Sequence, residues 1–90
     1  MIFLAIYCLI GGVNKTRNER YVKMFGQNLR KIRKIKGMSM EKLALTAGIE
    51  YSQISNIEHG KINTTISTVY SIAKALDIAE KDLFDFHFEK

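Results

Sequence analysis

Apolar residues recur at intervals of three and four positions from Arg20 onward, the spacing that places side chains on one face of an α-helix. Gly37 is a suitable end for the first helix, because glycine readily adopts the backbone conformation of helix C-termini. Ser39 can then cap a second helix that ends at Gly48, and a third follows after a short turn. Helix, glycine-containing turn and helix over residues 39–59 make a bihelical unit. The inward positions are Val22, Phe25, Leu29, Ile32 and Ile35 in the first helix, Leu43, Ala44 and Ala47 in the second, and Ile54 and Ile57 in the third, with Ile49 in the turn.

The helical pattern continues beyond Gly60, which closes the third helix. Thr65 or its neighbour can cap a fourth helix, and Asp77 interrupts its pattern. The pattern over residues 80–84 predicts a short fifth helix with Leu83 and Phe84 turned inward. Over residues 84–88, aromatic and polar side chains alternate as they would in a strand. Proline is absent, which suits an all-α fold of five helices. The inward positions of the fourth helix are Ile66, Val69, Tyr70, Ala73 and Leu76.

The N-terminus has a different character, because residues 1–10 are almost entirely apolar and Gly11-Gly12 follows. A membrane-spanning helix needs roughly 20 apolar residues, so this run is too short. It also lacks the preceding basic residues of a secretory signal. Three interpretations remain. We favour a tail outside the fold, which a translation start placed too early would explain, since Met24 lies close to where the domain begins. The run could instead pack on the domain or on a partner chain, or anchor the protein to a membrane surface.

Charge is distributed unevenly along the chain, whose formal net charge is +5. Residues 15–36 contain nine basic residues and one acidic residue, whereas residues 37–90 contain five basic and eight acidic residues. A segment with a formal net charge of +8 beside one with a net charge of −3 indicates a polyanionic partner, either nucleic acid or an anionic membrane surface. The alternative is a solvated basic helix face with no partner.

Other chemistries find little support in the sequence. Cys8 is the single cysteine, so an intrachain disulfide is impossible, which fits a reducing cytoplasm. His59 and His87 are far from each other and from Cys8, so no metal-ligand spacing is present. No glycine-rich phosphate loop follows a strand, and no nucleophile is paired with a base. We therefore expect no metal, no cofactor and no enzymatic activity.

Five segments between Phe25 and Phe84 carry a family resemblance when read in order: LRKIRKIKGMS, EKLA, AGI, SQISNIEHGK and IAKAL. This stretch resembles the Cro/repressor-type helix-turn-helix family, also called the XRE family. The resemblance implies a compact five-helix, lambda-repressor-like DNA-binding domain over residues 21–90, with residues 1–20 as an apolar extension. It also implies a bacterial transcription regulator, more often a repressor, that binds double-stranded operator DNA as a homodimer in the cytoplasm. A recognition helix at about residues 51–58 would enter the major groove.

The resemblance assigns base contacts to the outward positions of that helix: Glu50, Tyr51, Ser52, Ser55 and Asn56. Asn56 can both donate and accept, as adenine recognition requires. Ser52 and Ser55 suit bases or phosphates, and Tyr51 suits a thymine methyl or a phosphate. Glu50 can accept from a cytosine amino group or simply stabilise the helix N-terminus.

The resemblance also assigns phosphate contacts, which position a protein without reading sequence. Met40 departs from the family, where a glutamine that binds phosphate is usual, so this anchor is in question. Thr64 replaces a common proline, which we expect to matter little. Glu58, Gly48 and Gly60 are structural in the family. The assigned positions are Gln27, Arg30 and Lys31 in the first helix, Ser39 and Met40 at the start of the second, and Lys61 and Asn63 after the third.

Two alternatives of other functional classes remain. An antitoxin would bind its own operator but chiefly neutralise a toxin, held by residues 1–10 or by the phenylalanine-rich C-terminus. A membrane-surface adaptor would use residues 1–36 as an apolar and basic anchor, and it is the least favoured of the three functions.

Overall fold

A computed structural model describes residues 18–88, which fold into four α-helices and one short 3₁₀ helix. The first helix, α1, spans Glu19–Ile35. Asn18 caps it, because its side-chain oxygen accepts a hydrogen bond from the backbone N–H of Tyr21 at 2.9 Å. Gly37 follows the helix with a φ of 69°, as its predicted role as a helix stop requires.

The predicted bihelical unit consists of α2, Met40–Ala47, and α3, Tyr51–Glu58. Ser39 caps α2 as predicted, accepting a hydrogen bond from the N–H of Lys42 at 3.0 Å. The fourth helix, α4, spans Ile66–Leu76, and the predicted cap Thr65 accepts from the N–H of Thr68.

The all-α class is confirmed for the described residues, but the count of five helices is not. The fifth predicted segment, Glu80–Phe84, forms a 3₁₀ helix rather than a further α-helix. Asn28 holds this segment, because its side-chain amide donates to the carbonyls of Asp82 and Leu83 at 3.1 and 2.9 Å.

The strand predicted for residues 84–88 is wrong, since this segment has no strand structure. A strand needs a neighbouring strand to satisfy its backbone groups, and every element packed here is helical. Its aromatic side chains serve packing instead: the rings of Phe86 and Phe88 lie 5.1 and 5.2 Å from the ring of Tyr21, measured between centroids.

The core contains most of the predicted inward positions, with four exceptions that lie on the flanks or at the ends of their helices. Ile35 is 72% exposed and Ile66 is 88% exposed, while Tyr70 is half exposed and Phe84, predicted to turn inward, is 43% exposed. The face of α4 that packs inward is centred on Ile72, which the prediction omitted and which is fully buried. Apolar spacing alone did not separate the centre of a face from its edge. The fully buried side chains are Leu29, Leu43, Ile54, Ile57, Ile72, Leu76 and Leu83.

Helices α1 and α3 approach each other closely at Gly26. A Cβ atom at this position would lie 2.1 Å from the carbonyl oxygen of Ile57 and 2.8 Å from that of Glu58. Both oxygens belong to the backbone, so they cannot move aside as the end of a side chain can. Only glycine fits this contact.

A buried ion pair joins the same two helices near this contact. Arg33 Nε and Nη2 donate to the Glu58 carboxylate at 2.6 and 3.0 Å, and Arg33 Nη1 donates to the Met38 carbonyl at 2.7 Å. The side-chain hydrogen bond with Glu58 raises the pKa of Arg33, while burial acts in the opposite direction. The pair therefore holds α1, the following turn and the end of α3 together.

Gly26→Ala should reduce the free energy of unfolding by about 3 kcal/mol, because the added methyl group overpacks a backbone contact. Gly37→Ala is the control without a clash: its φ of 69° is unfavourable for alanine, which that of the helical Gly26 is not, but no atom lies within 4 Å of the added carbon. We expect about 1 kcal/mol for the control. Urea denaturation of both variants provides the comparison. An equal or smaller loss for Gly26→Ala would contradict the close approach.

Glu58→Gln should cost about 3–5 kcal/mol of stability, because it leaves a buried guanidinium without its counter-charge. The double variant Arg33→Met/Glu58→Leu should recover most of that loss, since it removes both charges. Glu50→Gln, at an exposed site, should change stability by less than about 0.5 kcal/mol. The measurement is again the urea midpoint. If Glu58→Gln were as stable to unfolding as the double variant, the ion pair would be dispensable.

Candidate nucleic-acid interface

The turn between α2 and α3 is set by Gly48, which has a φ of 71°. Its N–H donates to the carbonyl of Leu45, and the N–H of Ile49 donates to the carbonyl of Ala44 at 2.9 Å. This pattern satisfies the last carbonyls of α2 and turns the chain sharply. The half-buried Ile49 then packs against the core. Helix α3 thus leaves α2 in a fixed direction.

The eight residues of α3 divide into an inner and an outer face. Ile54, Ile57 and Glu58 are buried, which fixes the rotation of the helix about its axis. Of the side chains assigned to bases, Glu50, Tyr51 and Ser52 are exposed, and Ser55 and Asn56 are half-buried. All five therefore lie at or next to the solvent-facing side of one helix. Glu50 precedes the helix and makes no side-chain capping hydrogen bond, so its carboxylate remains available.

His59 adds a residue that the sequence assignment omitted. Its Nδ1 lies 2.7 Å from the Ser55 carbonyl oxygen and 3.4 Å from the Ser55 hydroxyl. A carbonyl oxygen only accepts, so Nδ1 carries the proton in that contact. The imidazole is thereby fixed one turn beyond Ser55. The spacing of four residues was the sequence signal that placed the two side chains together.

The end of α3 is also covered by a basic side chain of α1. Gly60 has a φ of 72°, and a Cβ there would lie 2.8 Å from Cγ and 2.9 Å from Cα of Lys23. The stem of Lys23 therefore packs on the Gly60 backbone. This contact brings Lys23 to the end of α3, where the exposed Lys61 follows. The sequence assignment did not include Lys23.

The other side chains assigned to phosphates are mostly exposed. Gln27, Arg30 and Lys31 lie on the exposed side of α1, and Asn63 is exposed in the loop between α3 and α4. The exception is Met40, whose half-buried side chain packs against the core. Any phosphate contact at that position is left to its backbone N–H at the N-terminus of α2. The neighbouring Ser39 is exposed, but its hydroxyl oxygen already caps the helix.

The surface charge of α1 is smaller than the sequence count implied. Arg33 belongs to the basic segment, yet it is buried and neutralised by Glu58. The remaining basic residues of the helix are exposed: Arg20, Lys23, Arg30, Lys31 and Lys34. They occupy one side of the helix, at positions separated mainly by three, four and seven residues. The described part of α1 therefore presents a cationic face beside the end of α3.

Residues 18–88 contain neither of two other kinds of site. No helix in this range combines the length and the apolarity needed to cross a bilayer. The same residues bring together no group of three or more His, Cys, Asp or Glu side chains that could hold a metal ion.

Known proteins resemble this chain in sequence and in structure. The family model described as "Helix-turn-helix domain" matches residues 26–85. Control protein C.BamHI of Bacillus amyloliquefaciens is 44% identical over 64 residues, which are 70% of this chain and 79% of that protein. The transcriptional regulator SinR of Bacillus subtilis is 35% identical, over 69% of this chain and 57% of SinR.

Among solved structures, the restriction-modification controller protein C.AhdI of Aeromonas hydrophila has a TM-score of 0.69 and 38% identity. The match covers 70% of this chain and 96% of C.AhdI. Sequence similarity, the arrangement of the helices and the helix-turn-helix geometry all support one assignment. The chain belongs to the Cro/repressor-type helix-turn-helix family of DNA-binding proteins.

Proposed function

We propose that this protein is a sequence-specific transcription regulator of the restriction-modification controller type, which binds operator DNA as a homodimer in the cytoplasm. The observation that carries the proposal is the division of α3 into a buried face and a polar outer face. Such a helix is held in place by the core. It is narrow enough to enter a major groove, where it presents hydrogen-bonding side chains to the base edges. The names of the relatives support the controller role.

The proposed reading of DNA has two layers. Tyr51, Ser52 and Asn56 face the base edges, with Glu50 and Ser55 beside them. Lys61 and Asn63 bind phosphates at the end of α3, as do Arg30 and the other assigned side chains of α1. The cationic face of α1 strengthens the attraction to DNA of any sequence, and the outer face of α3 supplies the preference for one operator.

The homodimer is proposed from an apolar surface on α4 and the 3₁₀ helix. Ile66, Tyr70 and Phe84 are all substantially exposed, and they line one open cleft of about 630 Å³ together with Val69. Exposed apolar side chains that lie together are characteristic of protein–protein contacts. A two-fold dimer formed there would present two α3 helices, which matches an inverted-repeat operator.

The antitoxin alternative is not favoured, because the relatives are named as control proteins and transcription regulators. The same names support a regulator without enzymatic activity. We propose repression as the mode of regulation, since a domain of this size on an operator would block access to a promoter.

Selection from a random duplex library with the purified chain tests the proposal. We expect an enriched inverted repeat with a fixed half-site spacing of about one helical turn, as a homodimer with two recognition helices requires. The readout is sequencing of the bound fraction. A folded protein that enriches no motif would contradict the proposed function, and a motif without symmetry would contradict the homodimer.

Asn56→Ala and Lys61→Ala should weaken binding in different ways. Asn56→Ala should cost about 1–3 kcal/mol on the selected operator and relax the preference at one base pair. Lys61→Ala should weaken binding to all sequences and lower the dependence of log K on log salt by about one. Titrations at several salt concentrations, on the operator and on scrambled DNA, separate these results. An unchanged sequence preference in Asn56→Ala would show that Asn56 does not read a base.

A further inference from the structure

A second apolar cavity lies on the other side of the Ile66 and Phe84 side chains, between the start of α1 and the start of α4. Tyr21, Val22 and Phe25 form one wall, and Ile66 and Val69 form the other. Its volume is about 130 Å³, less than the roughly 300–1,000 Å³ of cavities that bind drug-sized molecules. It suits one or two apolar side chains of a polypeptide better than a free ligand.

The lining of this cavity includes a polar group without a partner. The Thr64 hydroxyl oxygen is inaccessible to solvent, and within residues 18–88 it makes no hydrogen bond. Buried polar groups in folded proteins are nearly always hydrogen-bonded, so an unpaired one calls for a missing partner. A peptide laid across the cavity would fill the apolar space with its side chains, and a shift of the Thr64 side chain would bring the hydroxyl to a peptide N–H or C=O group.

A suitable peptide precedes this domain in the same chain. Residues 1–10 are almost entirely apolar, and seven residues, 11–17, separate them from Asn18, which caps α1. Seven residues span up to about 25 Å when extended. The cavity wall at Tyr21 and Val22 lies within the first turn of α1, so the distance to be bridged is short. Gly11-Gly12 permits the reversal of direction that such a contact requires.

We propose that residues 1–10 bind in cis to this cavity and cover the side chains of Ile66 and Phe84. A connection of only seven residues gives the segment an effective concentration in the millimolar range, far above that of a second chain at micromolar concentration. Because the proposed dimer surface also uses Ile66 and Phe84, the bound segment competes with dimerisation. The binding in cis is independent of the proposed function, whereas the competition rests on the proposed homodimer.

The single cysteine provides a direct test on the full chain. A nitroxide attached to Cys8 broadens the amide signals of nearby residues in the NMR spectrum of the ¹⁵N-labelled protein. We expect Tyr21, Val22, Thr64 and Ile66 to lose most of their intensity, and Lys42 on α2 to keep far more. Uniform weak losses over the whole surface would overturn the proposal.

Two variants check that the cavity is responsible. Ile66→Lys should abolish the local broadening, because it places a charge at the edge of the cavity. Leu45→Lys is the matched control, since Leu45 is similarly exposed, at 82% against 88% for Ile66, and does not line the cavity. Broadening that survives Ile66→Lys, or that is lost equally in both variants, would contradict binding at this site.

A mixed sample separates binding in cis from binding between chains. The ¹⁵N-labelled Cys8→Ser chain is combined with unlabelled chain that carries the nitroxide. Little broadening is expected, and strong broadening at Thr64 and Ile66 would assign the cavity to the segment of a second copy and overturn binding in cis.

Leu4→Ser/Ile6→Ser tests the segment without any attached probe. This variant should shift the amide signals of Tyr21, Val22 and Thr64, and unchanged signals would overturn the proposal. In sedimentation, the same variant should dimerise at a lower concentration than the unaltered chain. If the amide signals shift but dimerisation does not change, binding in cis is supported and the competition with dimerisation is wrong.

Discussion

The backbone contact between Gly26 and the carbonyls of Ile57 and Glu58 sets the distance between α1 and α3, and the outer face of α3 depends on it. At this separation Arg33 reaches the Glu58 carboxylate with two hydrogen bonds and still donates a third to the Met38 carbonyl. A helix of eight residues is too short to be stable by itself. Its orientation is therefore a property of the packing around Gly26 and Arg33 and not of its own sequence.

Under the proposed function, the same arrangement lets one small domain separate affinity for DNA from preference for one sequence. Basic side chains lie on the exposed side of α1, where they act over several ångströms and need no exact geometry. The side chains proposed to read bases lie on α3, whose direction is fixed by Gly48 and whose rotation is fixed by Ile54 and Ile57. Hydrogen bonds to bases are directional, so the more rigid element is the one that carries them.

The sequence predicted the helices well because their ends carry strong local signals. Ser39 and Thr65 cap their helices, and Gly37 and Gly48 end theirs in the left-handed conformation. The errors have non-local causes. Arg33 was counted as surface charge because nothing near it in sequence reveals the partner Glu58, which is 25 positions away. The strand near Phe86 was wrong because alternation shows which side chains are apolar, but not whether another strand is present.

In the candidate site, the positions on α3 followed from helical periodicity and from the family resemblance. Lys23 and His59 did not, because their placement depends on the Gly60 backbone and on a hydrogen bond to the Ser55 carbonyl. The alternation of buried and exposed positions along α3 also has an evolutionary consequence. Substitutions at Tyr51, Ser52 or Asn56 leave the packing of Ile54 and Ile57 intact, so under the proposed function operator preference can drift among descendants of this domain without loss of stability. Changes in binding site and preservation of the fold are then under separate selection within a single helix of eight residues.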